Sequence, residues 1–159
     1  MLYELDLAAR CMLVGVIYGW TGAEAGNEAS ERTEDLCVVM LEELQQHDRG
    51  PMFIMGDING DAENFPTIMR MTQELGWCDL GASAHMWGGT ARQTTCQVNG
   101  VSKATRRDFM FANEYLLPAV VKFRVHYSDD FPTHQPLQLK IATQQLEAVH
   151  RAVRKPQSA

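Results

Sequence analysis

The amino-acid sequence predicts an α/β protein in which two packed β-sheets are flanked by helices. Three observations carry this expectation. The apolar run Met52-Phe53-Ile54-Met55, opened by Gly50-Pro51 and closed by Gly56, has the length and punctuation of a buried strand. Residues 30–48 place Leu36, Val39, Met40 and Leu44 at helical spacing, as an amphipathic helix requires. Leu137-Gln138-Leu139-Lys140-Ile141 alternates apolar and polar side chains, the pattern of a half-buried strand. Helices separate the early strands while strands dominate later, an order that suits two sheets with helices outside.

Taken in order, residues 2–7 and 11–18 read as strands joined in a hairpin at Ala8-Ala9-Arg10. A small-residue loop at 21–27 precedes the helix at 30–48, which Gly50-Pro51 stops. The strand at 52–55 runs into Gly56-Asp57-Ile58-Asn59. Residues 65–75 form a second helix, with Pro66 acceptable in its first turn and Gly76 at its end. The remaining strands are expected at 77–80, 93–98, 108–111, 120–126 and 137–141, with a short terminal helix at 144–153. Residues 1–143 then make one domain, followed by a helix and polar tail over 144–159.

Composition agrees with a single soluble domain. A chain of 159 residues with 45% hydrophobic content can bury a real core, and nothing in it suggests a second. The four cysteines, Cys11, Cys37, Cys78 and Cys96, lack paired spacing, so they read as reduced thiols of an intracellular protein, nuclear or cytoplasmic. Glu4 and Asp6 precede the first apolar run where a signal peptide would carry positive charge. No apolar stretch is long enough to span a bilayer, so no membrane partner is expected. The net charge of −6 counts against tight nonspecific binding to nucleic acid, although a metal-binding pocket is itself acidic before it is loaded.

The polar residues that carry chemistry stand at strand margins. Side chains alternate along a strand, so Asp57 and Asn59 can point to one side at the end of the apolar run. A carboxylate oxygen beside an amide donor suits a magnesium ion holding a phosphate, with Asp57 as the metal ligand. The same two residues also suit a simple turn cap. Arg107-Asp108 opens the run Phe109-Met110-Phe111, and His134 stands just before the strand at 137–141. A sheet scaffold can bring such margins to one pocket, where an imidazole oriented by a carboxylate is an acid–base pair. Asp108 could equally be a surface partner of Arg106 or Arg124. Lys103, Arg106 and Arg107 form a basic group that could meet phosphates or simply be solvated.

In their order, Gly56-Asp57-Ile58-Asn59, Thr94-Thr95-Cys96, Arg106-Arg107-Asp108-Phe109-Met110-Phe111 and Thr133-His134-Gln135-Pro136 resemble the motifs of the endonuclease/exonuclease/phosphatase superfamily. That family includes abasic-site endonucleases, retrotransposon endonuclease domains, and DNase I-like and inositol-phosphatase enzymes. The resemblance runs from about Leu13 to Ile141 and implies a DNase I-like sandwich. It implies that Asp57 orients or deprotonates the attacking water, that Asn59 contacts the scissile phosphate, and that Asp108 orients the catalytic His134. Tyr18 resembles the family's active-site tyrosine. Trp87, in the glycine-bearing loop 81–90, falls in a region that often faces substrate in related enzymes; Arg107, of the basic group above, is the candidate for phosphate contact. The cofactor implied is Mg2+ or Mn2+, and the substrate a nucleic acid, DNA foremost, or another phosphoester.

The chain also departs from the family pattern. The family places an asparagine and a metal-binding glutamate on strands before the tyrosine-bearing strand, whereas residues 1–10 alone precede that strand here, and Glu4 is not in the glutamate's context. Thr133 stands where an aspartate is usual before the histidine. The resemblance therefore implies a sandwich lacking its first strands, with an exposed sheet edge, a depleted metal site, and an origin as a trimmed or retroelement-derived fragment. The function expected is a magnesium-dependent phosphodiester hydrolase of endonuclease type. The alternatives are a catalytically degenerate binding module of the same fold and a phosphatase for a small phosphoester or inositol phosphate.

Overall fold

The computed structural model describes residues 1–7, 10–47, 50–97 and 103–146. Two strands, β1 (Leu2–Leu7) and β2 (Arg10–Tyr18), form the expected antiparallel hairpin, with Leu2 opposite Gly15 and Asp6 opposite Cys11. The chain then enters α1 (Glu28–Gln45), which begins two residues earlier than its apolar spacing suggests. The cause is Asn27, whose side chain accepts a hydrogen bond from the Ser30 amide at 2.8 Å, while Glu28 and Glu31 place negative charge at the helix's positive end. The buried face is Thr33, Cys37, Met40, Leu41 and Leu44. Val39, expected on that face, is exposed, because a helix repeats every 3.6 residues and Val39 falls one position off the Met40 stripe.

Strand β3 (Met52–Asp57) runs parallel to β2, which the intervening helix permits. It is followed by α2 (Pro66–Glu74), the two-residue strand β4 (Cys78–Asp79), β5 (Asp108–Ala112), β6 (Val120–Val125) and β7 (Leu137–Ile141). Phe65 caps α2 without a side-chain bond, and Glu34 of α1 takes that role from a distance: its Oε1 accepts from both the Thr67 amide and the Thr67 hydroxyl. The strands form a five-stranded sheet in the order β1-β2-β3-β5-β4 and a separate β6-β7 ribbon. Thus the expected two-sheet α/β architecture is present. The strand expected at 93–98 is replaced, among the described residues, by isolated bridges from Cys96 to Thr105 and to His134. The strand expected at 77–80 shrinks to β4. Of the helix expected at 144–153, a 3-10 turn at Thr143–Gln145 followed by a bend at Leu146 is seen, and residues 147–153 lie outside the described residues.

Alternation along the strands sorts the core into two layers. Ile17, Met52, Ile54, Phe109 and Phe111 face α1 and α2. Met12, Val14, Phe53, Ala112 and Phe123 lie between the sheets. Asn113 joins the far ends of β3 and β5, accepting from the Met52 amide at 3.0 Å and donating to the Gly50 carbonyl at 2.8 Å. At the β1 side the sheet ends in the open edge expected, beside a groove of about 630 Å³ that Met1, Tyr3, Val16, Tyr18, Val39 and Met40 help to line.

Register at the other end of β3 depends on Gly56. It stands opposite Ile17 on one side and Phe109 on the other, and a side chain there would overlap the Ile17 carbonyl. Backbone cannot move aside as a flexible side chain could. Gly56→Ala is therefore expected to destabilise the fold by about 2–3 kcal/mol, lowering Tm by roughly 5–10 °C. Thermal unfolding followed by circular dichroism checks this; an unchanged Tm would show that β2 and β3 are not so closely paired.

Candidate functional site

Strand register builds the first half of the site. Tyr18 pairs with Asp57 across β2 and β3, and Asp57 pairs with Asp108 across β3 and β5, so the three form one row. Because Ile17, Gly56 and Phe109 face the helices, this row faces the second sheet. The other half comes from the loop before β7. His134 Nδ1 lies 2.9 Å from Asp108 Oδ2, and His134 Nε2 lies 3.8 Å from Asp57 Oδ2. A carboxylate at Nδ1 accepts the Nδ1 proton, which in the neutral ring leaves Nε2 as a lone pair turned toward Asp57.

Asp57, Asp108 and His134, separated by up to 77 positions in sequence (134 − 57), are thereby brought together. Asp57 is buried, whereas the His134 side chain is 41% exposed, so the cluster opens to solvent on the imidazole side. Burial is the main cause that lifts the Asp57 carboxyl above the usual carboxylate range. The Asn59 amide, which donates to Asp57 Oδ1 at 2.8 Å, pulls it back, Asp108 pushes it further up, and His134 and Arg107 lower it.

Asn59 takes the turn position read from the sequence. Its backbone closes a turn onto Asp57 with φ of 52°, a left-handed conformation that asparagine tolerates, and its side-chain amide donates to the Gly19 carbonyl at 2.9 Å. Among the described residues its second amide hydrogen has no acceptor. Tyr18 ends the row but is 71% exposed and has no side-chain hydrogen bond among the described residues. Arg107 lies near enough to lower the Asp57 carboxyl and has no ion pair among the described residues. Trp87 is elsewhere: half-buried, it packs against the cluster between the sheets and does not line the 350 Å³ cavity beside Asp108 and His134. The rival partners for Asp108 are otherwise engaged. Arg106 is paired with Asp79 and stacked over Phe109, and Arg124 donates to Gln138.

Two residues of the Thr94-Thr95-Cys96 motif have roles that the sequence does not announce. Thr95 is fully buried, and its hydroxyl accepts from the amides of Arg107 and Asp108 at 3.0 and 2.9 Å. Its carbonyl accepts from the Gln135 amide at 2.7 Å. Cys96 presents Sγ 3.7 Å from His134 Nε2, and burial raises its thiol above the usual range.

Asp57, Asp108 and His134 each offer one ligand atom, all within 4.8 Å of one another, so the described residues contain a group able to hold a divalent cation. Carboxylate oxygens fit Mg2+, and the imidazole nitrogen additionally fits Mn2+.

Comparison with solved structures shows what this arrangement is similar to. An AP endonuclease from Archaeoglobus fulgidus superposes with a TM-score of 0.64 at 15% identity, over 88% of this chain and 64% of its own. The 3′ phosphatase NExo from Neisseria, bound to a product DNA hairpin, gives 0.62 at 13% identity, over 89% and 64%. An endonuclease/exonuclease/phosphatase family protein from Leptotrichia buccalis gives 0.57 at 17%, over 87% and 52%. The motif resemblance is thus borne out as a shared fold, and the chain spans less than two thirds of the length of each of these structures. No family model matches the sequence. No curated protein matches it either.

The raised Asp57 carboxyl has a consequence for stability. A folded-state value above the unfolded one means that the native state binds the proton more tightly, so stability falls as pH rises through that range. In chelator, Asp57→Asn is expected to raise Tm at pH 7, with the gain vanishing as pH falls toward about 3.9, the unfolded carboxyl value. Melting curves across pH check this; a variant less stable than the parent at pH 7 would contradict it.

Proposed function

We propose that this chain is a divalent-metal-dependent phosphoesterase of endonuclease type, with DNA as its foremost substrate. The observation that carries the reading is the His134–Asp108 pair, 2.9 Å apart, set against the buried Asp57 on a fold shared with nucleases and a DNA 3′ phosphatase. An intracellular setting, nuclear or cytoplasmic, belongs to the same proposal, and among the described residues no helix is long and apolar enough to cross a membrane.

The hypothesised reaction is in-line attack of water on a phosphodiester. Asp57, ionised, accepts a hydrogen bond from the attacking water and aligns it. In the imidazolium form both nitrogens of His134 donate, Nδ1 to Asp108 and Nε2 to a phosphoryl oxygen. Asp108 fixes the ring plane and stabilises its charge, and Thr95 fixes Asp108. The free amide hydrogen of Asn59 and the guanidinium of Arg107 supply further donors to the phosphate. Tyr18 lines the exposed end of the row. Carboxylate oxygens of Asp57 and Asp108 would hold a bound Mg2+ or Mn2+, and its charge would offset that developing on the phosphate and the leaving oxygen.

With Mg2+ or Mn2+, the folded chain is expected to nick supercoiled plasmid or cut an abasic-site duplex. Asp57→Ala and His134→Ala should each lower the rate by roughly 10²–10⁴-fold, since each removes a group acting directly on the reacting atoms. Gel assays beside a small aryl phosphodiester measure this. Activity retained in both variants, or a folded parent inert on all three substrates, would overturn the proposal.

A further inference from the structure

We propose that two copies of this chain associate through unlike sheet edges, β1 of each pairing with β7 of the other. Four strands end the two sheets: β1 and β4 in the larger, β6 and β7 in the ribbon. Unpaired N–H and C=O groups along an edge are a template for another chain unless the edge is short or covered. β4 has two residues, too few to template a partner. β6 lies against the 3-10 turn Ala84–Trp87, and Gly89 comes so close to the Phe123 carbonyl that a side chain there would overlap it. That leaves β1 and β7, six and five residues long, each paired on one side alone among the described residues.

The two edges match row by row. On β1, Leu2 packs toward the helices and Leu7 toward the second sheet. Alternation therefore puts Glu4 and Asp6 on the helix side, and Tyr3 and Leu5 on the side of the second sheet. On β7, Leu137, Leu139 and Ile141 pack between the sheets, while Gln138 and Lys140 are exposed. Set side by side, the apolar rows continue one another on the inside and an acidic row meets a basic one outside. Tyr3 and Leu5 are 48% and 45% exposed. The apolar space they would enter lies beside β7, a cavity of about 350 Å³ walled by Val16, Met55, Met110, Phe131 and Leu137. The charges lack other partners. Lys140 stands opposite Lys122 of β6, a like-charge pair, and among the described residues neither lysine forms an ion pair, nor does Glu4 or Asp6.

Like edges do not serve. With faces matched, β1 on β1 sets Glu4 and Asp6 beside their own copies, and β7 on β7 adds lysine to lysine. Reciprocal β1–β7 pairing uses each open edge once and closes about a twofold axis, so assembly stops at two chains. Each resulting sheet has seven strands, five from one copy and two from its partner.

Sedimentation equilibrium of the full chain tests this, in reductant and in a chelator that keeps cations from Glu4, Asp6 and Cys11. The parent is expected to show the mass of two chains. Glu4→Lys/Asp6→Lys and Lys122→Glu/Lys140→Glu should each raise the dimer Kd about 10–100-fold, since both contacts of the pair turn from attraction to repulsion. An equimolar mixture of the two variants should restore the parent Kd, because every contact in the mixed pair again joins acid to base; that recovery also shows both variants to be folded. A parent that stays monomeric at its highest soluble concentration, as when some other segment covers these edges, overturns the proposal. So do assemblies that grow beyond two chains, a Kd that neither variant moves, or a mixture no tighter than its components.

Discussion

The candidate site depends on one buried hydroxyl. Asp108 belongs to the five-stranded sheet and His134 to the loop that enters the second sheet, so neither sheet alone can bring them together. Thr95 does so from a segment that belongs to neither. Its hydroxyl takes the amides of Arg107 and Asp108 where the chain enters β5, and its carbonyl takes the amide after His134. Cys96 extends the clamp through its bridges to Thr105 and His134. Buried amide hydrogens need an acceptor, and this hydroxyl serves two of them, so removing it would leave both without their partner. The 2.9 Å contact between His134 and Asp108 follows from that anchoring.

On this frame the electrostatics are arranged at some expense to stability. Asp57 is buried beside a second carboxylate, and both effects oppose its ionisation. The Asn59 amide, His134 and Arg107 offset part of this. Under the proposed function this carboxylate is kept to align water, at that cost to stability.

Much of the fold was legible because its signals are local. The run at 52–55, between breakers, and the clean alternation at 137–141 both stand in strands where the sequence places them, the first extended to Asp57. The helix start was hidden because Asn27 sits in a glycine- and alanine-rich stretch that reads as loop, although its side chain makes the cap. The segment at 93–98 has strand-forming residues, but among the described residues its backbone partners are Thr105, Thr133 and Gln135, contacts to two separate segments rather than a ladder. The site follows the same division. Asp57, Asp108 and His134 stand at strand margins and could be read there. Trp87 could not be placed from a glycine-bearing loop alone, and packing against the core claimed it. Thr95 and Cys96 could be quoted within a motif, yet a hydroxyl and a thiol have no periodicity to reveal what they touch.

The most direct test of this account is the nitrogen chemical shifts of the His134 imidazole, measured by NMR at a pH where the ring is neutral. The structure requires a single tautomer, with the proton on Nδ1 facing Asp108 and Nε2 bare, and a mixture of tautomers once Thr95→Val releases Asp108. A proton on Nε2 in the parent chain, or an even mixture there, would contradict the arrangement on which the site rests.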